Sequence, residues 1–168
     1  MSSVPAPAIA SLRGSGLSWT ILRPSVFASN ALWWAPAIRA GEPVPDPVDG
    51  ARQGVVDPRD VAAVAVEALT GTGHDAAVHT LTGPAAISVG EQALILGDVL
   101  GRDVAVTTAP LPAAAWAAGI AWSRDGHNAV VTDDVRRVLG RAPASFRTWA
   151  QDHRDAFRAG GGSPATAF

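Results

Sequence analysis

Ser15–Asn30 reads SGLSWTILRPSVFASN, and the fold reading starts there. Within it, Leu17–Leu22 (Leu-Ser-Trp-Thr-Ile-Leu) is rich in β-branched and aromatic residues and is closed by Arg23-Pro24. A residue before proline is pushed out of the helical region, so this run predicts a buried strand ending at that dipeptide. Upstream, Ile9–Arg13 reads as the last turns of a helix stopped by Gly14-Ser15-Gly16. Downstream, Val26–Arg39 has apolar residues at helical spacing, and Gly41–Gly54, rich in Pro, Gly and Asp, predicts an exposed loop. Loops of that length in compact domains are often functional.

Working outward, the punctuation is regular. Asp57 is placed to cap a helix that has Pro58 at its first position, Asp60 in its first turn, an apolar face of Val61, Val64, Ala65, Ala68 and Leu69, and Gly71 as its stop. Val78–Leu81 predicts a strand, and Ser88 with Glu91 has the spacing of a capping box before a helix ending at Gly101, with Ala93, Leu96 and Leu100 as its stripe. Val104–Thr107 predicts another short strand. Thr132 is expected to cap a helix carrying Asp133 and Asp134 in its first turn and ending at Gly140, and Ser145 to open the last helix. Gly160–Phe168 is expected to be a frayed tail. Alternating strands and helices argue for an α/β fold with parallel strands. No internal repeat is present.

The chain has 168 residues, which suits one domain; 48% are hydrophobic and 17% charged, which provides for a real core. All 13 basic residues are Arg, and there is no Lys, Tyr or Cys. Those absences exclude Schiff-base lysine chemistry, thiolate nucleophiles, disulfides, zinc–thiolate sites and a tyrosine–lysine acid pair. A net charge of -2 argues against nucleic-acid binding. Met1–Ala10 has no basic region followed by an apolar core, so a cytoplasmic protein is expected. Val104–Ser123 is uncharged over about the ~20 residues a membrane helix needs, but Pro110 and Pro112 interrupt it, so no membrane association is expected.

SGLSWTILRPSVFASN resembles the segment S-G-x-x-W-T-x-L-R-P-x-x-F-x-x-N of NmrA-like proteins, the atypical short-chain dehydrogenase/reductase family. Three further blocks follow in that family's order: VVDPRDVAAVAVEAL at Val55–Leu69, LTGPAAISVGEQALILGDVLGRDV at Leu81–Val104, and TDDVRRVLGRAPASFRTWAQDHRDAF at Thr132–Phe157. The resemblance implies a truncated Rossmann-like parallel sheet remnant carrying substrate-domain helices. It is divided as residues 1–14, an N-terminal remnant; 15–158, the C-terminal substrate-binding domain; and 159–168, a flexible tail. Family members begin with a glycine-rich strand-to-helix turn that holds the cofactor pyrophosphate. The one G-x-G-x-x-A string here, Gly71–Ala76, follows a predicted helix and reads as a helix stop and turn. No cofactor or metal is therefore expected to bind this chain alone. The Trp19–Leu22 strand would be left with an exposed edge, and a homodimer or a separate Rossmann-like partner chain is expected to cover it.

By the same resemblance Arg23, Phe27 and Asn30 form a wall of the substrate pocket, extended by Trp33 and Trp34. The alternative is structural, with Arg23 paired to a helix-end carboxylate and the tryptophans in the core. Trp33 and Trp34 are adjacent and cannot share one helix stripe, so at least one is expected at a cavity, an interface or solvent. Asp57, Asp60, Asp133 and Asp134 read as capping residues. His74 and His79 lack a familiar metal spacing, and His153 lies on the apolar stripe of the last helix. His127 with Asp125, in the polar loop SRDGHN, is the candidate acid/base pair, with Trp122 or Trp116 walling the same pocket; an ordinary solvent loop is the alternative.

Three functions compete. The favoured expectation is a cofactor-independent enzyme that cyclises, isomerises, dehydrates or hydrolyses an apolar aromatic or polyketide-like small molecule. The second is the substrate half of a split NAD(P)-dependent oxidoreductase. The third is a non-catalytic ligand-binding or regulatory module.

Overall fold

The computed structural model describes residues 6–110 and 117–158. Trp116 and the Gly160–Phe168 tail lie outside the described residues. The elements run α1 (Ala6–Arg13), β1 (Thr20–Pro24), a 3-10 segment (Ala28–Trp34), α2 (Ala35–Ala40), β2 (Val44–Asp46), β3 (Gln53–Gly54), α3 (Pro58–Thr70), β4 (Ala77–Leu81), β5 (Ala86–Ile87), α4 (Val89–Leu100), β6 (Val106–Thr108), α5 (Ala117–Arg124), α6 (Asp134–Leu139) and α7 (Phe146–Asp152), closed by a 3-10 turn over Arg154–Phe157.

The predicted α/β class is observed. β1 and β4 pair in parallel from Thr20↔Ala77 to Pro24↔Leu81, joined through α3. A second parallel pair joins β2 to β6, and β3 pairs antiparallel with β5. A single parallel bridge, Phe27↔Val56, extends the line of β1. Among the described residues β1 has no strand on its other edge, and its five residues are only part-buried where a fully buried strand was expected.

Two apolar clusters hold the layers together. The larger joins Ala28, Ala31, Ile38, Val44, Leu96, Trp149 and Phe157, and the smaller joins Val56, Val64, Leu81 and Val135. Trp149 is 1% exposed and stacks on Phe146, so its truncation would open the centre of the larger cluster.

Local chemistry explains most boundaries. The Asp57 carboxylate accepts from the Arg59 amide at 2.8 Å, and Ser88 and Glu91 form the reciprocal capping box. Ser145 accepts from Thr148 N at 3.1 Å and opens α7. Gly71 stops α3 and the chain turns into β4, so Gly71–Ala76 joins a helix to a strand.

Four local expectations are corrected. Val26–Arg39 is not one helix: with Pro36 in the first turn of α2, the chain arrives there through a 3-10 segment. Gly41–Gly54 is not an exposed loop, because Val44, Asp46, Val48 and Gln53 are buried and two short strands lie inside it. Asp46 makes this possible by accepting from Val48 N at 2.9 Å and Gly50 N at 2.8 Å. Thr132 does not cap α6; its hydroxyl donates to Thr80 O and its amide to Thr82 Oγ1. Asp60 and Asp134 are tertiary ties and not caps: Asp60 accepts from Ala144 N at 2.7 Å and pairs with Arg141, while Asp134 accepts from Thr80 N at 2.6 Å. Asp133 flanks α6 at the cap position without a side-chain cap bond.

Candidate functional site

Two clefts adjoin where the chain leaves β1. The first lies at the carboxyl ends of β1 and β4, the position at which open parallel sheets bind ligands. It encloses about 260 Å3 and is lined by Arg23, Ser25, Thr82, Trp122, His127 and Asn128 among others. The Arg23 side chain has no hydrogen bond or ion pair among the described residues. His127 is exposed and stacks on Trp122 with ring centroids 5.1 Å apart. Asp125 is exposed, and no hydrogen bond or ion pair joins it to His127 among the described residues.

The second cleft encloses about 290 Å3 between the 3-10 segment, the β2–β3 loop, α4 and α5. Asn30, Trp33, Trp34, Val48, Val89 and Ile120 supply much of its wall, and among the described residues no Asp, Glu, Arg or His lines it. The geometry of the 3-10 segment explains the tryptophan pair. Side chains three apart eclipse, so Ala28, Ala31 and Trp34 form one row toward the core and Asn30 and Trp33 another. Trp33 is 77% exposed at the mouth.

A directional hydrogen-bond chain separates the clefts. Ser25 Oγ donates to Asn128 Oδ1 at 3.5 Å, Asn128 Nδ2 donates to Ser123 Oγ at 3.2 Å, and Ser123 Oγ donates to Gly119 O at 3.0 Å. Ser25 and Asn128 face the first cleft and Ser123 the second. Arg124 holds α5 against the β2 side by donating to Pro47 O at 2.7 Å and to Ala109 O at 3.0 Å.

The expected single wall is thus divided. Arg23 goes to the first cleft with Trp122 and His127; Asn30, Trp33 and Trp34 go to the second. Phe27 faces neither, and lines a third surface with Asp57, Arg59, Trp149 and His153. The helix-end carboxylate suggested for Arg23 does not pair with it among the described residues. His74 and His79 meet at 3.3 Å between Nδ1 and Nε2, away from both clefts, and no group of three metal-ligating side chains occurs among the described residues.

Gln53 and Gln92 also line the second cleft, and sequence reasoning missed both. They are 7% and 4% exposed. A signal existed for Gln92: it sits on the buried stripe Val89, Gln92, Ala93, Leu96, where a polar residue is out of place. Gln53 had none, because its loop read as exposed.

No protein-family model matches the chain. It is 41% identical over 160 residues to the (4-alkanoyl-5-oxo-2,5-dihydrofuran-3-yl)methyl phosphate reductase of Streptomyces griseus, covering 87% of this chain and 57% of that protein. It is 36% identical over 160 residues to the NAD(P)H azoreductase of Xenophilus azovorans, covering 86% and 56%. Among solved structures, the NADPH-dependent quinone oxidoreductase of Escherichia coli superposes with a TM-score of 0.77 at 19% identity, over 87% of this chain and 58% of that one. The solved structure shares this chain's fold, and the curated relatives match the chain over part of their own length.

The names of these relatives correct one expectation. A cofactor-independent enzyme does not agree with relatives named as reductases, two of them with NAD(P)H or NADPH in their names. The chain spans a little over half the length of the curated relatives it matches. Among the described residues no helix is long and apolar enough to cross a membrane.

Proposed function

We propose that the chain is the acceptor-binding part of an NAD(P)H-dependent oxidoreductase whose substrate is a neutral, flat, largely apolar molecule. The observation that carries this reading is the uncharged cleft of about 290 Å3, set one hydrogen-bond chain away from the carboxyl ends of β1 and β4. An uncharged aromatic lining favours a neutral ring system, since a buried charge without a partner costs several kcal/mol (on the order of 3–5). Two of the relatives' names, which cite an azo compound and a quinone, support an apolar ring acceptor; the third cites an oxo-dihydrofuran that also carries a methyl phosphate, so it supports the ring and its carbonyl but not the absence of charge.

The described residues fit one end of a nicotinamide cofactor. Arg23 and Asn128 offer donors at the strand ends, but no glycine-rich strand-to-helix turn for a pyrophosphate is among the described residues. When bound, NAD(P)H supplies the hydride. The chain's own part is to seat the acceptor in the second cleft and to keep the Ser25–Asn128–Ser123 partition in place.

A dinucleotide-binding half docks at the free edge of β1. Beside that edge lies an open groove of about 680 Å3 lined by Trp19, Leu22, Ala65, Ala68 and Leu69, and Leu69 is 85% exposed. A parallel strand with one free edge beside an apolar groove fits a further strand and its crossover helix. The test is NADPH oxidation with menadione as acceptor, for the protein alone and after co-expression with the part of the Streptomyces griseus relative that this chain does not match. Acceptor-dependent oxidation by the complemented pair is expected. A pair that assembles and binds NADPH but leaves menadione unreduced would overturn the proposal.

A further inference from the structure

We infer that Gln53 and Gln92 form a carbonyl-recognising amide pair in the second cleft, and that they select an acceptor for its ring oxygen. The inference rests on the reading of that cleft as the acceptor site.

Both residues are more than nine-tenths buried, and both line the same cavity. Their backbones are accounted for: Gln92 N donates to Ser88 O at 3.0 Å, and Gln53 O accepts from Val55 N at 2.9 Å. Their side-chain amides have no hydrogen-bond partner among the described residues. A ligand that shut water out of the cavity without pairing these amides would cost about 1–3 kcal/mol for each. No side-chain nitrogen or oxygen among the described residues is both sealed from solvent and unpaired, so the two amides, on residues that line this cleft, keep contact with solvent.

Their placement is held by the fold. Gln53 sits in β3 opposite Ile87 of β5. The capping box at Ser88 and Glu91 then fixes the first turn of α4, which carries Gln92 one residue further on. Arg52, next to Gln53, pairs with that same Glu91, so one salt bridge ties the two supports together. Glycine carries the approach of the neighbouring backbone: a Cβ on Gly54 would strike the Val130 carbonyl oxygen.

The chemistry of the pair selects the ligand. Each amide offers two N–H donors and one oxygen acceptor and carries no charge. Against walls of Trp34, Val48 and Ile120, that combination favours pairing with a carbonyl oxygen on an apolar ring over pairing with a carboxylate or phosphate, because among the described residues no cation lines the cleft to balance an anion. A hydrocarbon of the same outline would fill the cleft and leave both amides without partners.

The test compares menadione, which carries two ring carbonyls, with 2-methylnaphthalene, which has the same two rings and methyl group and no oxygen. Equilibrium dialysis against the purified protein and its Gln53→Met and Gln92→Met variants gives both dissociation constants without NADPH or turnover. The wild type is expected to bind menadione at least tenfold more tightly than 2-methylnaphthalene. Each variant is expected to weaken menadione about five- to tenfold, the effect of one lost hydrogen bond, and to leave 2-methylnaphthalene within twofold. Retained hydrocarbon binding shows that the variants keep the folded cleft. Equal affinity of the wild type for the two probes would overturn the pair while leaving the cleft as an acceptor site. Failure of the wild type to bind either probe would overturn both. If a Gln→Met variant does not fold, Gln53→Asn and Gln92→Asn, which shorten the amide without removing it, must show the same selective loss of menadione; loss of both probes in step would overturn the pair.

Discussion

Asn128 donates from Nδ2 to Ser123 Oγ at 3.2 Å, and this bond stands between the strand-end cleft and the apolar cleft. Its backbone is separately anchored, since Asn128 O accepts from Gly54 N at 3.0 Å. The side chain can therefore be removed without freeing the loop. Asn128→Ala is expected to lower kcat for menadione reduction in the complemented enzyme about tenfold, by loosening the approach of donor and acceptor, with a Tm within about 3 °C of wild type. Unchanged kcat would remove the partition from the mechanism.

Asp60 provides a test of stability without chemistry. It is 1% exposed, accepts from Ala144 N at 2.7 Å and pairs with Arg141, and so ties α3 to the segment before α7. Asp60→Ala leaves the Ala144 amide without its acceptor and is expected to cost about 2–3 kcal/mol in urea unfolding. A loss below about 0.5 kcal/mol would mean that the segment finds another partner.

Acid should weaken the fold through two carboxyls. Burial pushes the Asp57 carboxyl up, but the side-chain and backbone hydrogen bonds of Arg59 outweigh this and hold it below its ordinary value of 3.8. The Glu91 carboxyl is lowered from 4.5, first by the Ser88 backbone hydrogen bond and then by Arg52, against the opposing effect of burial. Both groups are more acidic folded than unfolded, so the unfolded chain binds more protons in this range. Their stabilisation is complete above about pH 4.5 and is lost as pH falls through the folded values. Urea midpoints measured from pH 7 down to pH 3 are expected to be flat above that point and to fall below it. Glu91→Gln should reduce the acid dependence; an identical acid slope in the variant would contradict this assignment.

The groove beside β1 predicts association. Ala68→Arg places a long cation among Trp19, Leu22 and Leu69. It is expected to reduce co-purification of a dinucleotide-binding half at least tenfold while leaving the menadione affinity of the second cleft unchanged. Light scattering that finds the protein a monomer with and without that half would contradict the docking surface.

The sequence exposed the fold at positions where one local rule acts alone. The strand before Arg23-Pro24, the Asp57 cap and the Ser88/Glu91 box are each set by neighbours in the chain, and the structure places them within a few residues of expectation. Where tertiary partners decide, the local reading failed. Asp134 and Thr132 have the composition of a helix start, yet both turn to β4, because Thr80 N and Thr80 O need partners on that side. Asp46 converts a loop of Pro and Gly into buried structure, which hid Gln53 from a reading of composition. The site residues were partly visible: Asn30, Trp33 and Trp34 do line one cleft, while Arg23, Trp122 and His127 line its neighbour and Phe27 neither. No spacing rule could have divided them, because the division comes from Ser25 and Asn128, 103 residues apart.

The most direct test of the second cleft as the acceptor site uses Trp33, which rims it and is 77% exposed, so that Trp33→Glu leaves the core alone. The measurement is the pair of KM values, for menadione and for NADPH, in the complemented enzyme. The account predicts that Trp33→Glu raises the menadione KM about tenfold or more and leaves the NADPH KM within twofold. An unchanged menadione KM, or a rise in the NADPH KM alone, would contradict it.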